Sequence, residues 1–192
     1  MENSKKRNAL ILAGLCGSIG AGILVVSYSF VAPAFRKICL PYVPATNIQI
    51  SNVINVLKKS NNNNLLKMNK FLDIGSGDGR IIFNMASHNI FKELHGVEFN
   101  FWLCNWSRFK IFGKTNSFKI KFFNRNLWKF DISKYDCMVL FGVDQMMSKI
   151  EKYFESNASK GTLLICCRFN LPNMKPCQSY GNGIDKVWLY RK

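Results

Sequence analysis

The chain has 192 residues, of which 48% are hydrophobic, enough for one domain with a buried core and a short additional segment. Its 27 Lys+Arg against 11 Asp+Glu give a formal net charge of +16, which favours an anionic neighbour such as nucleic acid or an acidic lipid surface. The seven cysteines form no C-x-x-C pair, so we predict neither a disulfide framework nor a metal site. Because the two histidines, His88 and His95, fall near predicted element ends, catalysis by histidine is not expected.

The N-terminal part of the chain is strongly apolar. Residues 8–35 contain no charged side chain, and a helix rising about 1.5 Å per residue would cross a hydrocarbon core of about 30 Å within this length. We predict a membrane anchor or targeting segment over residues 1–37 and a separate domain over 38–192. A cleaved secretory signal is the alternative, because residues 32–34 read Ala-Pro-Ala, although the apolar run is longer than signals usually have. Basic residues on both flanks leave the orientation of the anchor undetermined.

The rest of the chain predicts alternating helices and strands. Thr46 and Gln49 have the spacing of a helix capping box, and the apolar residues that follow predict a first helix over 47–59. Further helices are predicted at 79–88, 100–112 and 145–157, and strands at 70–75, 94–98, 118–123, 136–142, 161–168 and 184–190. Such alternation indicates an α/β fold with a mostly parallel sheet that helices cover on both faces.

The segment between the first strand and its helix is the most informative part of the sequence. It reads Phe-Leu-Asp-Ile-Gly-Ser-Gly-Asp-Gly-Arg over residues 71–80, which is a strand, a glycine turn and a helix start. This unit holds nucleotide-like cofactors, and the glycines allow backbone conformations that a Cβ would block. Glu98 ends the next predicted strand about 23 residues after Gly75. A carboxylate in that position can accept both hydroxyl groups of a ribose.

The spacing within the turn selects the cofactor. Dinucleotide sites favour G-x-G-x-x-G, whereas this turn is G-x-G-x-G, with Asp73 before it and Asp78 inside it. Carboxylates would repel a pyrophosphate but would attract the ammonium of an amino-acid cofactor. S-adenosylmethionine (SAM) has a ribose, a sulfonium and an ammonium, and no phosphate, so we predict SAM as the cofactor. The residues predicted to bind it are Asp73, Gly75, Ser76, Gly77, Asp78, Gly79 and Glu98.

Several further segments lie in order between residues 40 and 190. They are Leu-Pro-Tyr-Val-Pro-Ala-Thr (40–46), Gly-Val-Glu-Phe-Asn (96–100), Asn-Leu-Trp-Lys (126–129), Phe-Gly-Val-Asp-Gln-Met-Met (141–147), Cys-Arg-Phe (167–169) and Gly-Ile-Asp-Lys-Val-Trp (183–188). With the glycine motif, they resemble the small seven-strand protein-lysine methyltransferases of the mitochondrial inner membrane, which methylate the c-subunit of ATP synthase and the adenine nucleotide translocase. The resemblance implies a Rossmann-like class I SAM-dependent methyltransferase fold preceded by one transmembrane helix.

The resemblance also implies roles for residues outside the glycine motif. Asn126, Leu127 and Trp128 would border the adenine, with Asn126 standing where the family usually has an acidic residue; core packing is the alternative for Trp128. The candidates for a substrate channel are Tyr42, Phe141, Asp144, Gln145 and Met146. Asp144 replaces a usual proline, and would either recognise the target ammonium or cap the helix at 145–157. No dedicated base is apparent, and none is required, because burial in an apolar channel lowers the pKa of a lysine.

From these features we predict a SAM-dependent protein-lysine N-methyltransferase that acts on a mitochondrial inner-membrane protein, either the ATP synthase c-subunit or the adenine nucleotide translocase. The expected partners are a membrane protein with a target lysine and an acidic lipid bilayer. An RNA methyltransferase is the first alternative, given the net charge and the aromatic residues Trp102, Trp106 and Phe109. The chain lacks an N/D-P-P-Y/F segment after the fourth strand, which argues against a nucleic-acid partner. A non-catalytic assembly factor with a SAM fold is the second alternative.

Overall fold

The computed structural model describes residues 2–31, 44–60, 68–88, 90–112 and 119–192, so Tyr42 lies outside the described residues. The chain divides into two compact units, Met1–Pro41 and Tyr42–Lys192. The boundary is a few residues beyond the one predicted at 37/38.

The described part of the first unit is the helix α1 (Glu2–Val31). Its stretch Lys6–Val25 is long and apolar enough to cross a membrane, a test that a signal sequence near the N-terminus also passes. The large apolar side chains from Leu10 to Ile19 are exposed. The hydroxyl of Ser18 donates to the carbonyl oxygen of Gly14 at 2.8 Å, within its own helix. This polar group therefore needs no water, as a membrane span requires. The anchor itself stays a prediction.

The second unit has the predicted alternation of elements. Its helices are α2 (Asn47–Ser60), α3 (Arg80–Ser87), α4 (Phe101–Phe109) and α5 (Asp144–Asn157). Its strands are β1 (Lys70–Ile74), β2 (Glu93–Glu98), β3 (Lys119–Asn124), β4 (Cys137–Phe141), β5 (Leu163–Cys167), β6 (Gln178–Tyr180) and β7 (Val187–Arg191). Two short 3-10 helices cover Leu127–Lys129 and Gly183–Asp185. Every predicted helix and strand of this unit is present within a few residues of its expected ends, whereas β6 is an addition to the prediction.

The seven strands form one sheet in the order β3-β2-β1-β4-β5-β7-β6. Strands β1 to β5 pair in parallel, and β7 runs antiparallel to both β5 and β6. The chain proceeds from β1 to β3 towards one edge and then from β4 to β5 in the opposite direction. Because such crossovers are right-handed, α3 and α4 lie on one face and α5 on the other. The predicted α/β fold with a mostly parallel sheet is confirmed.

The reversal of strand order falls between β1 and β4, which are neighbours in the sheet. In open sheets of this kind, ligands bind at the carboxyl ends of the strands where the order reverses. The glycine turn follows β1, Glu98 ends β2, and Phe141 ends β4. The topology therefore brings the glycine turn, Glu98 and Phe141 to the carboxyl end of the same sheet.

Helix α2 packs through a continuous apolar face. Val53 and Leu57 are fully buried in a cluster that also contains Ile82 of α3 and Phe71 of β1. The helix begins with the predicted capping box. The backbone N–H of Gln49 donates to the hydroxyl of Thr46 at 3.1 Å, and the backbone N–H of Thr46 donates to the side-chain oxygen of Gln49 at 3.0 Å. These bonds fix the point where the chain enters the domain.

Candidate cofactor and substrate site

The site begins with a buried acid at the end of β1. Asp73 is 1% exposed, and its Oδ2 has no hydrogen-bond partner among the described residues. Burial, followed by the negative charges of Glu98 and Asp78, raises the pKa of Asp73 well above its usual 3.8. The hydroxyl oxygen of Ser76 is also buried without a described partner. Such groups are costly in a folded core, so their presence at the switch point indicates a ligand that satisfies them.

The glycine turn is held close to β2. The backbone N–H groups of Gly75 and Ser76 both donate to the carbonyl oxygen of Val97, at 2.8 and 3.1 Å. Gly79 has a φ of +78°, and a Cβ on it would lie 2.6 Å from the ring of Phe122. No other residue fits this conformation and this space without displacing the ring. The turn therefore keeps one compact shape that leaves its backbone accessible to a cofactor.

Glu98 connects the end of β2 to the glycine turn. Its Oε2 accepts from the backbone N–H of Gly77 at 2.9 Å, and its Oε1 accepts from that of Asn100 at 2.7 Å. Burial raises the pKa of Glu98, against the opposing effect of these backbone donors. The backbone N–H of Phe99 also acts on this carboxylate, so three of its roughly four acceptor positions are engaged and one remains for another donor. This geometry is compatible with the predicted contact of Glu98 with a ribose.

Asp78 has two cationic partners. Its Oδ1 lies 3.4 Å from Nε of Arg80, and its Oδ2 lies 3.3 Å from Nζ of Lys110. Burial opposes the charge of Asp78, but Lys110 and Arg80 outweigh it and hold the pKa of the carboxyl below 3.8. Asp78 thus joins the glycine turn to the residue after α4. Its direct contact with the cofactor stays a prediction.

Helix α4 supports the turn from behind. Asn100 caps this helix, since its side-chain oxygen accepts from the backbone N–H groups of Trp102 and Leu103 at 2.9 and 3.3 Å. The helix brings the buried hydroxyl of Ser107 within 3.0 Å of the carbonyl oxygen of Gly77, to which it donates. Sequence analysis assigned no role to Ser107, because only the fold brings it to the turn.

The predicted adenine side of the site follows β3. The side-chain oxygen of Asn126 accepts from the backbone N–H of Trp128 at 3.1 Å and so caps the short helix Leu127–Lys129. Trp128 is half-buried and packs edge-to-face on Tyr153, with ring centroids 5.9 Å apart. Nζ of Lys149 lies 4.0 Å from the centre of the same indole ring. Trp128 therefore contacts α5 while remaining half-buried, and its contact with adenine stays a prediction.

The structure separates the candidates for the substrate channel. Phe141 is half-buried at the end of β4, and Asp144 and Gln145 are exposed at the start of α5. Met146 is 1% exposed, so its side chain lies in the core instead of on an open wall. Asp144 is the first residue of α5, and the helix has Val143 at its N-cap without a capping side chain. The interpretation of Asp144 as a helix cap is therefore wrong.

The donor set around the turn fits SAM. Asp73 and Ser76 present buried polar atoms that lack a described partner, and Glu98 retains an acceptor position beside the turn. Within the described ranges, the structure contains no group of three or more His, Cys, Asp or Glu that could hold a metal ion.

The sheet order and this arrangement define a class I SAM-dependent methyltransferase. Residues 73–178 match the family described as the ANTKMT methyltransferase domain. Residues 4–36 match the N-terminal domain of the ATP synthase C-subunit lysine N-methyltransferases. The chain belongs to the family of the ATP synthase C-subunit and adenine nucleotide translocase lysine methyltransferases, and it is a SAM-dependent protein-lysine methyltransferase.

Curated relatives agree with this assignment, and a solved structure shares the fold. The chain is 38% identical over 186 residues to the ATP synthase C-subunit lysine N-methyltransferase of Xenopus laevis, covering 97% of this chain and 78% of the relative. It is 29% identical over 198 residues to the adenine nucleotide translocase lysine N-methyltransferase of Mus musculus, covering 98% and 81%. An RNA methyltransferase of Salinibacter ruber with bound S-adenosylhomocysteine shares the fold, with a TM-score of 0.67, 19% identity and coverage of 78% and 93%.

Proposed function

We propose that this enzyme methylates a lysine of the ATP synthase c-subunit, with the adenine nucleotide translocase as the second candidate substrate. The observation that carries this order is the match of residues 4–36 to an N-terminal domain described for the c-subunit enzymes. The identity of 38% to a c-subunit enzyme, against 29% to a translocase enzyme, supports the same order. The proposed location is the mitochondrial inner membrane, with α1 as a single membrane-spanning helix.

The residues at the carboxyl ends of the strands would each hold a different part of the cofactor. We propose that Asp73 faces the ammonium of SAM, that Glu98 holds the ribose, and that the Asn126 segment borders the adenine. When bound, SAM supplies an electrophilic methyl group on its sulfonium. A cationic ammonium near Asp73 would favour the charged carboxylate and so reverse the rise in its pKa. The free energy gained there would contribute to binding.

The target lysine must lose its proton, because its pKa in water is about 10.4 and only the neutral amine is a nucleophile. Burial beside apolar side chains lowers the pKa of an amine. Phe141, half-buried at the end of β4, supplies such a surface. Asp144, exposed at the start of α5, supplies a negative charge that would attract the ammonium from solution. We propose that the lysine passes from Asp144 to Phe141 and releases its proton to water on the way, with positioning of the amine and the methyl group as the main source of rate.

The test is transfer of labelled methyl groups from SAM into isolated mitochondrial inner membranes by the full-length enzyme. We expect one labelled protein that is sensitive to protease, resistant to RNase and identified by mass spectrometry as the c-subunit. The Glu98→Ala variant serves as the inactive control. Label in the translocase would select the second candidate. Label lost to RNase would overturn the proposal in favour of RNA methylation, and absence of both label and SAM binding would favour the assembly factor.

A further inference from the structure

Helix α4 turns a row of aromatic side chains towards the outside of the domain. It buries only Leu103, Cys104 and Ser107. The outward residues of the helix, together with Phe112 just beyond its end, form what we name the aromatic face: Phe101, Trp102, Trp106, Phe109 and Phe112, with exposed fractions of 55%, 37%, 53%, 64% and 82%. Trp102, Trp106 and Phe109 follow one side of the helix at i, i+4 and i+7. Contiguous apolar patches of this kind are rare on the surface of a monomeric domain and mark interaction sites, so the face indicates a partner.

The charges on the chain segment that carries this face are of one sign, although Asp78 of the glycine turn pairs with Lys110. Residues 99–130 contain seven Lys or Arg and no Asp or Glu. Three of these side chains are exposed: Arg108 on α4, Lys121 on the neighbouring strand β3, and Arg125 just after β3. An anionic partner would therefore be attracted to this side of the domain. A second copy of the chain would bring the same positive charges together, and this disfavours self-association through the face.

The packing of the rings distinguishes between anionic partners. Trp106 and Phe109 stack on each other, with centroids 5.8 Å apart and planes at 21°. Phe109 also contacts Phe112, with centroids 6.5 Å apart. Nucleic-acid bases need free ring faces on which to stack, whereas these faces are partly occupied by each other. A lipid interface requires only apolar surface flanked by cations, which is the composition of helices that lie in the plane of a membrane.

We propose that the aromatic face is a membrane contact of the catalytic domain, which rests on the headgroup region of a bilayer containing acidic lipids. The proposal rests on the proposed function only for the membrane location of the enzyme. The aromatic rings enter the boundary between headgroups and acyl chains, and the surrounding cations pair with lipid phosphates. Once α1 anchors the chain, the domain has a high effective concentration at the bilayer, so even a weak contact is populated. The contact then restricts the orientations that the catalytic domain can take relative to the bilayer in which the target lysine is embedded.

The experiment uses the full chain in vesicles whose acyl chains carry bromine, which quenches tryptophan fluorescence on contact. One variant keeps Trp106 alone, through Trp102→Phe, Trp128→Phe and Trp188→Phe. A second variant keeps Trp188 alone. We expect stronger quenching of Trp106 than of Trp188 in phosphatidylcholine–phosphatidylglycerol vesicles, and loss of the difference in phosphatidylcholine alone. Hydrogen exchange at residues 101–112 of the unsubstituted chain repeats the test without tryptophan replacement.

A pair of double variants supplies the matched control. In the Trp106 variant, Phe109→Ser with Phe112→Ser should reduce quenching to the level of Trp188. Ile48→Ser with Ile184→Ser, at side chains 61% and 66% exposed, should leave it unchanged. Equal quenching of the two tryptophans, with no protection of residues 101–112, would overturn the proposal. An RNA oligonucleotide that quenches Trp106 where vesicles do not, or a dimer that the Phe variants dissociate, would overturn it in favour of that partner. Because this experiment uses no SAM, failure here leaves the proposed function intact, and failure of methyl transfer leaves this result intact.

Discussion

Arg80 donates from Nη1 to the carbonyl oxygen of Ala45 at 2.9 Å. The same guanidinium pairs with Asp78 of the glycine turn. Ala45 directly precedes the capping box of α2, so one side chain joins the cofactor turn to the point where the chain enters the domain. The entrance is also held by Thr46, whose hydroxyl donates to Asp185 at 2.9 Å. A change in the conformation of the glycine turn should therefore alter the stability of the first turn of α2.

Replacement of Arg80 by lysine tests this link. Lysine keeps the charge beside Asp78 but lacks the planar fork that reaches Ala45 as well. We expect Arg80→Lys to reduce the free energy of unfolding by about 1–2 kcal/mol, because a charged donor to a carbonyl oxygen is lost. Amide exchange in the first turn of α2 should become faster. Arg191→Lys, at an exposed position on β7, is the control, and unchanged exchange at α2 would contradict the link.

Replacement of Glu98 should weaken cofactor binding by two routes. Glu98→Ala removes both the predicted ribose acceptor and the anchor for Gly77, so we expect affinity for S-adenosylhomocysteine to fall about tenfold to a hundredfold. Glu98→Gln should also weaken binding, because its amide nitrogen would face the N–H of either Gly77 or Asn100. Isothermal titration calorimetry measures both effects. Glu155→Ala on the exposed side of α5 is the control, and full affinity in Glu98→Gln would exclude the assigned contacts.

Replacement of Asn126 by aspartate should strengthen binding. The oxygen of Asn126 already accepts from Trp128, so only its second lone pair is left for the amino group of adenine, and the other end of the side chain is an amide donor. Aspartate would retain the cap and present a second acceptor. We expect affinity to increase about threefold to tenfold. Asn182→Asp, exposed near β6, controls for the added charge. Unchanged affinity in Asn126→Asp would place the adenine elsewhere.

Asp73 should make stability depend on pH in the absence of cofactor. Its pKa is raised in the folded chain, while the unfolded chain releases the proton near 3.8. Between these two pKa values the folded state binds more protons, so stability falls as the pH rises through this window. Asp73→Asn removes that dependence on pH. We expect the free energy of unfolding of this variant at neutral pH to be about 1–3 kcal/mol higher than that of the unsubstituted chain.

Thermal unfolding in detergent from acid to neutral pH measures the effect of Asp73. The variant and the unsubstituted chain should converge at the acid end, where both carry a neutral side chain. The variant should also lose the stabilisation that S-adenosylhomocysteine gives the unsubstituted chain. Asp144→Asn, which removes an exposed carboxylate, is the control. Equal slopes in Asp73→Asn and the unsubstituted chain would show that Asp73 ionises normally.

Features determined by neighbours in sequence could be predicted well. The capping box of Thr46 and Gln49 forms as expected, because both bonds lie within three residues. The alternation of apolar runs locates every long strand, since buried parallel strands are recognisable from composition alone. Strand β6 could not be found in this way because it has three residues, none of them fully buried, and is defined only by pairing with β7. Asp144 lies inside α5 instead of capping it, because the helix begins one residue earlier than its pattern predicts.

Features determined by the fold could not be predicted from sequence. The bond from Arg80 to Ala45 spans 35 residues, and the bond from Ser107 to Gly77 spans 30. Neither donor has a sequence pattern that identifies its acceptor. Trp128 could be assigned to adenine or to the core, and only the position of α5 places Tyr153 and Lys149 against it. The pairing of Asp78 with Lys110 likewise depends on where α4 ends.

The absence of Asp and Glu from residues 99–130 affects which substrate lysines the enzyme encounters. Lysine-rich soluble proteins carry the same sign of charge, so they are slowed during diffusion, before any side chain makes contact. At physiological salt this repulsion extends about 8 Å from the surface and weakens as salt is added. A lysine whose surroundings neutralise its charge escapes that barrier. Discrimination among substrates therefore starts in the encounter rate, ahead of any fit within the catalytic site.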